Sequence, residues 1–128
     1  MQVLFYSSGD DQDEKRLEAA VYEVIPESKI ELFKRLDDLR ARLRKPVEPD
    51  SIAVLSAMNR AELQQMQLLR RLLIEIYIVL VLPDRKKSTI RLAHLLLPRF
   101  LSPANSDFTD LKTVLDKMYI NSQRCQFA

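Results

Sequence analysis

The chain has 128 residues, of which 47% are hydrophobic and 30% charged, and its formal net charge is +2. This composition is typical of one soluble globular domain and excludes a disordered, collagen-like or disulfide-stapled chain. The near-neutral charge gives no bulk electrostatic reason to bind nucleic acid, and the single cysteine, Cys125, excludes an internal disulfide.

Neither the N-terminus nor the apolar runs match a targeting or membrane-spanning pattern. The chain opens on MQVLFYSSGDD, which has no basic leader and too short an apolar run for a signal peptide. The longest apolar run, residues 76–83, is far shorter than the roughly twenty residues of a membrane span. A lone cysteine also has a reducing compartment as its default. We therefore expect a cytoplasmic protein with no membrane contact.

The first unit of the chain predicts a strand followed by a helix. Residues 2–6 form a β-branched and aromatic run, which predicts a buried strand. The turn after it contains the only glycine, Gly9, so we expect the tightest backbone demand there. A helix with a one-sided apolar stripe follows, capped by Asp11 together with Glu14 and ended by Pro26.

The next two units repeat this order. Residues 29–34 alternate polar and apolar side chains, which predicts a strand near a sheet edge, and residues 35–44 predict a short helix. Residues 51–57, with the sequence SIAVLSA, predict a buried strand. A third helix is expected to begin at Asn59, which can cap it together with Glu62.

The last two units complete the pattern. Residues 76–82 are the most apolar stretch, and unbroken apolar character predicts a strand covered on both faces. A helix over residues 86–97 and a short strand over residues 99–102 follow. A final helix, capped by Ser106 or Asp107, has a clean apolar stripe.

Five strand–helix units joined by connections of a few residues predict an α/β fold with a parallel sheet. The chain has no internal repeat and no linker long enough to separate a second domain. We expect one domain over residues 1–122 and a flexible C-terminal tail at residues 123–128, with the chain loosening from Asn121.

This pattern of lengths resembles the receiver domain of bacterial response regulators, a flavodoxin-like fold, over residues 2–123. The resemblance implies three layers, with helices on both faces of a five-stranded parallel sheet of order 2-1-3-4-5, in which the strand at residues 51–57 is central. Ligands of such sheets lie beyond the carboxyl ends of the strands, at the switch point between strands one and three. The crevice candidates there are Ser7, Ser8, Gly9, Asp10, Asp11, Asn59, Asp84, Ser102 and Pro103.

The residues at the strand ends depart from the receiver motif. The family's acidic pair, phosphate-accepting aspartate, strand-four Ser or Thr and strand-five lysine are replaced by Ser7 with Ser8, Ala57, an apolar strand end before Pro83, and Ser102. Phosphoryl transfer to a carboxylate needs a nucleophilic oxygen, a divalent cation and positive charge. The resemblance therefore implies a degenerate pseudo-receiver with no catalytic residue, no metal and no cofactor, in which Ala57 marks the phosphoacceptor position.

Several polar residues have plain structural interpretations. Asp10 and Asp11 could bind a cation, but acids before a helix more often cap it and complement its dipole. His94 has no Cys, Asp or Glu partner at ligand spacing, and we expect a structural or surface histidine. Cys125 is expected to be a spectator thiol in the tail.

The apolar residues of the third and fourth helices exceed what one buried stripe requires. They are Leu68, Leu69, Leu72 and Leu73 in the third, and Ile90, Leu92, Ala93, Leu95, Leu96 and Leu97 in the fourth. Surplus apolar surface indicates a partner or a self-interface, unless the helix is buried under a neighbouring element. Because receivers commonly pair through helix four, strand five and helix five, a homodimer through that face is expected. The interface candidates are Ile90, Leu92, Leu95, Leu96 and Phe100.

We therefore expect a non-catalytic, phosphorylation-independent module of two-component signalling that binds a protein partner. One alternative is a small nucleotide- or flavin-binding protein, or an enzyme, that uses the same crevice, although neither GxGxxG nor GxxxxGK[ST] is present. Another is a nucleic-acid contact through residues 35–45. That alternative is disfavoured because Asp37 and Asp38 interrupt the basic run and no aromatic residue is interleaved with it.

Overall fold

The computed structural model describes residues 2–9, 11–48, 50–103 and 108–125, with side chains as far as residue 121. Five strands form one parallel sheet in the order β2-β1-β3-β4-β5, which is the predicted order. The strands are β1 (Val3–Ser7), β2 (Ile30–Phe33), β3 (Ile52–Ser56), β4 (Tyr77–Leu82) and β5 (Phe100–Pro103). The half-buried β2 lies at an edge, as its alternating sequence predicts.

One helix follows each strand. The helices are α1 (Gln12–Val24), α2 (Leu36–Leu43), α3 (Arg60–Gln67), α4 (Lys87–His94) and α5 (Thr109–Cys125). Two predicted N-caps are confirmed. The Asp11 carboxylate accepts the amide N–H of Glu14 at 2.9 Å, and the Asn59 side chain accepts that of Glu62 at 2.8 Å. The predicted cap of α5, at Ser106 or Asp107, lies outside the described residues.

The sheet is buried on both faces because its central strands are almost entirely apolar, apart from the serines that end β1 and β3. Side chains alternate along a strand, so Leu55 faces the core formed with α2, α3 and α4, whereas Val54 faces the core formed with α1 and α5. Every residue of β1 and β3 is buried. The three-layer α/β arrangement is therefore the predicted one.

The end of α4 departs from the prediction. The helix stops at His94 and not at residue 97, because the amides of Leu96 and Leu97 bond to carbonyls only three residues back. Leu97 then adopts a left-handed backbone with φ of 53°, and Pro98 follows it. Pro98 has no amide N–H with which to continue the helix.

Helix α5 continues past the predicted start of the C-terminal tail. Because residues 121–125 contain neither glycine nor proline, nothing in the sequence stops the helix, and α5 continues to Cys125. The loose chain expected from residue 121 is therefore wrong for residues 121–125. The rest of the predicted tail, residues 126–128, lies outside the described part of the chain.

Candidate functional site

The switch point lies between the carboxyl ends of β1 and β3, where Ser7 and Ser56 are paired in register and buried. The side chain of Glu14, in the first turn of α1, reaches back between them. Ser56 Oγ donates a hydrogen bond to Glu14 Oε1 at 2.6 Å, and Ser7 Oγ donates to Glu14 Oε2. With only 5% of Glu14 exposed, one buried carboxylate joins the ends of the two central strands.

Sequence reasoning identified Glu14 only as a partner in a helix cap. A usable signal existed, because two serines end adjacent strands and an acid occupies the first turn of the next helix. Helical side chains point toward the N-terminus of their helix, which aims Glu14 at the strand ends. That inference also requires β1 and β3 to be neighbours in the sheet, which the sequence predicts only once the fold has been assigned.

Two side chains pack closely against the turn after β1. A Cβ atom on Gly9 would lie 2.8 Å from Glu14 Cγ and 2.9 Å from Met58 Sδ, so both side chains pack against the Gly9 backbone. Gly9 does not have positive φ. Glycine is therefore needed at this turn because it has no side chain and not because of its backbone conformation. A larger residue here would collide with Glu14 and Met58.

Position 57, at the carboxyl end of the central strand, holds no reactive group. Ala57 is buried, and its amide donates to the carbonyl of Val81 at 3.0 Å. Its methyl group offers no oxygen to a ligand.

A second carboxylate holds the outer part of this edge. Glu62 Oε2 accepts a hydrogen bond from Ser8 Oγ at 3.1 Å, and Glu62 Oε1 accepts one from the Met58 amide at 3.4 Å. Burial raises the pKa of the nearby Tyr6 phenol, while its hydrogen bond with Ser8 lowers this pKa and the charge of Glu62 raises it further. The arrangement ties the turn after β1 to the start of α3 and keeps Tyr6 neutral at ordinary pH.

Asp84 stabilises the loop before α4 by a side-chain hydrogen bond. Its Oδ1 atom accepts the Lys86 amide at 2.9 Å, and this hydrogen bond, together with one from Thr89, lowers the pKa of the carboxyl. Arg60 Nε donates to Thr89 Oγ1 at 3.4 Å, and its Nη2 donates to Ser88 Oγ. The starts of α3 and α4 are thus joined by side chains.

The crevice candidates form two groups and not one. Ser7, Ser8, Gly9 and Asn59 gather at the β1–β3 edge, and Asp11 is an exposed helix cap. Asp84, Ser102 and Pro103 line a separate pocket of about 410 Å³ between the ends of β4 and β5, together with Leu82, Arg85, Ile90 and Leu101. Asp10 lies outside the described residues.

Other single residues give no site. Among the described residues, no three His, Cys, Asp or Glu side chains are grouped as metal ligands. His94 is exposed at the end of α4. In α2, which belongs to the basic run of residues 35–45, Arg42 is engaged within the fold, since its Nε donates to Glu31 Oε2 at 2.8 Å and its Nη2 to Gln2 Oε1 at 3.0 Å.

The interface candidates differ in what they offer to a partner. Leu95 is half exposed, whereas Ile90, Leu92 and Phe100 are partly buried against the two cores. Leu96 is only 3% exposed, because it lies three residues after the buried Ala93 on the same face, so its choice as an interface residue was wrong. The surplus of apolar residues is nevertheless exposed, chiefly at Leu68 and Leu97 and at Ile74, which the sequence did not single out.

Comparison with models of known protein families gives no match, and comparison with curated protein sequences gives none either. Within the described ranges, no helix combines the length and the apolar character needed to cross a bilayer. The function of the protein is therefore inferred from its fold and from the contacts described above.

Proposed function

We propose that the protein is a non-catalytic, receiver-like signalling module that works by binding another protein and is not phosphorylated on an aspartate. The observation that carries this proposal is the lack of a nucleophile at the switch point. Ala57 stands where a phosphate acceptor would be needed, and Glu14 and Met58 pack against Gly9. A phosphoryl group would find no oxygen nucleophile at position 57.

The polar groups of this edge also support a structural role. Glu14 and Glu62 each accept hydrogen bonds from hydroxyl or amide donors of neighbouring elements. Carboxylates bonded in this way fix the ends of strands and helices. The output of the module is then left to its surfaces, where large apolar side chains are exposed.

The test is to add beryllofluoride and magnesium, which mimic an aspartyl phosphate in receivers, and to record the amide spectrum. We expect no specific change, because the chain offers no aspartate at position 57. Saturable shifts at Ser8, Asn59 and Asp84 would overturn the proposal. Magnesium alone and beryllofluoride alone are the matched controls.

A second candidate, binding of a small ligand, is favoured by the pocket between β4 and β5. Its volume of about 410 Å³ falls in the ordinary range of ligand sites, and its lining combines Ile90 and Leu101 with the polar Ser102. A thermal-shift screen with nucleotides and flavins separates the candidates, since a ligand that binds the folded state raises the melting temperature. A flat screen at millimolar ligand would remove this candidate.

A further inference from the structure

Four large apolar side chains are exposed at one edge of the molecule. We call Leu68, Ile74, Leu95 and Leu97 the edge patch; their exposed fractions are 74%, 81%, 51% and 75%. The helices α3 and α4 run back from the carboxyl ends of the strands, so all four residues lie near the amino ends of β4 and β5. Gln67 Nε2 donates to the Leu92 carbonyl at 2.6 Å and joins the two helix ends beside Leu68 and Leu95.

The edge patch contains a groove and is not merely a raised surface. Ile74 and Leu97 line a cavity of about 100 Å³ together with Arg70, and its floor is formed by the core residues Ile78 and Leu96. A dry cavity of this order takes one apolar group from a partner. The groove therefore suits an inserted side chain better than a flat contact.

Leu97 has a left-handed backbone conformation, which favours glycine over a residue with a large apolar side chain. A left-handed residue after a helix is usually glycine, because a Cβ atom is crowded there. Leu97 has φ of 53° and is nevertheless three-quarters exposed, so burial within the chain does not offset the strain. The side chain has a use at this position only if something outside the chain covers it.

The charges around the edge patch select the kind of partner. Arg70, Arg71 and Arg91 are exposed and form no ion pair with a described residue, and Glu75 is the only acid between residues 63 and 83. Arg99 lies over the ring of Tyr77, at 4.9 Å from its centroid. A second copy docked on the same patch would set these arginines against their own equivalents, which is unfavourable, whereas an acidic partner is complementary.

We propose that the edge patch binds an acidic amphipathic helix of a partner protein, with one apolar side chain in the groove and Asp or Glu side chains beside the arginines. Helix-in-groove recognition uses apolar anchors spaced by one turn, and the cavity lined by Ile74 and Leu97 accepts one such anchor. This inference rests on the proposed function and names the class of its partner.

The experiment uses three synthetic peptides of equal length and the full chain, and follows the amide spectrum during titration. The first peptide has a leucine stripe flanked by glutamates, the second replaces the glutamates with lysines, and the third scrambles the first. We expect saturable shifts at Leu68, Ile74 and Leu97 with the first peptide only. Added salt should weaken this binding, because exposed ion pairs are screened.

Two substitutions in the patch and one outside it make the test specific. Leu97→Gly and Ile74→Ser should each lower the affinity for the acidic peptide about tenfold, as expected for a central apolar anchor. Glycine suits the backbone at position 97, so that variant should fold. Ile120→Ser is the control, since Ile120 is 42% exposed on α5, across the sheet from the patch, and its loss should leave the affinity unchanged.

Several outcomes would overturn the inference. Equal binding of the lysine or scrambled peptide would show that charge and spacing do not matter, and no shift at about 1 mM acidic peptide would exclude the proposed partner class. Concentration-dependent dimers broken by Leu97→Gly, or the same shifts with anionic vesicles or duplex DNA, would assign the patch to another occupant. If the peptides fail while beryllofluoride remains silent, the partner class falls and the proposed function stands.

Discussion

At the scale of single residues, the carboxylate of Glu14 has the greatest effect on the site. It accepts hydrogen bonds from two buried hydroxyls, those of Ser7 and Ser56, which end the two central strands. Hydrogen bonds to a charged group contribute about 1.5–3 kcal/mol each, and a buried hydroxyl left without a partner costs comparable free energy. This carboxylate therefore stabilises the edge that would otherwise be open to a ligand.

Replacing Glu14 tests this role. Glu14→Ala should lower the free energy of unfolding by about 3 kcal/mol, because both serine hydroxyls lose their acceptor in the core. Glu14→Gln is the matched control and should cost about 1 kcal/mol, since its carbonyl still accepts one of the two hydrogen bonds. Urea unfolding followed by circular dichroism measures both. An alanine variant as stable as the glutamine variant would contradict this account.

At the scale of elements, two exposed leucines at the end of α4 differ in backbone conformation. Leu95 has a right-handed backbone with φ of −65°, whereas Leu97, two residues later, is left-handed. Both side chains are exposed, so burial does not distinguish them. The conformational preference of the backbone then dominates the effect of removing either side chain.

Glycine substitutions at these two positions should have opposite signs. Leu97→Gly should raise the free energy of unfolding by about 1 kcal/mol, because glycine relieves the crowding of a left-handed residue. Leu95→Gly should lower it by about 0.5–1 kcal/mol, because glycine is the more flexible residue in the unfolded chain. Denaturant midpoints measured in the same buffer compare the two variants. Changes of the same sign would refute the role of backbone strain.

At the scale of the whole molecule, the parallel α/β fold followed from the repeated strand–helix pattern, whereas the strand order 2-1-3-4-5 was expected only from the resemblance to receiver domains. The unbroken apolar runs of β3 and β4 predict strands covered on both faces, and the helices between the strands predict a parallel sheet. The packing at the switch point did not follow, because the contact of Gly9 with Met58 and the hydrogen bond of Ser56 with Glu14 join residues distant in sequence. Leu96 was misjudged because it was counted among the surplus apolar residues of the predicted fourth helix, although it lies three residues after the buried Ala93 and therefore on the same face.

The pH dependence of the free energy of unfolding should reveal the burial of Tyr6 in β1. The folded-state pKa of Tyr6 lies above its ordinary value of 10.0, chiefly because of burial, so its stabilising contribution is present below pH 10 and is lost as the pH rises through the folded pKa. Stability should therefore decline above pH 10, and Tyr6→Phe should make this decline less steep. Urea midpoints between about pH 8 and 11 measure the slope. Identical slopes for the two proteins would contradict the burial of an ionisable phenol.

The strained leucine after α4 also has a consequence for laboratory evolution. A selection for heat resistance alone would favour glycine at position 97, because that change relaxes the backbone without opening the core. The same change removes a side chain that the proposed partner contacts. Variants selected for expression or shelf life should therefore be tested for partner binding, since the change that raises stability also removes a proposed contact.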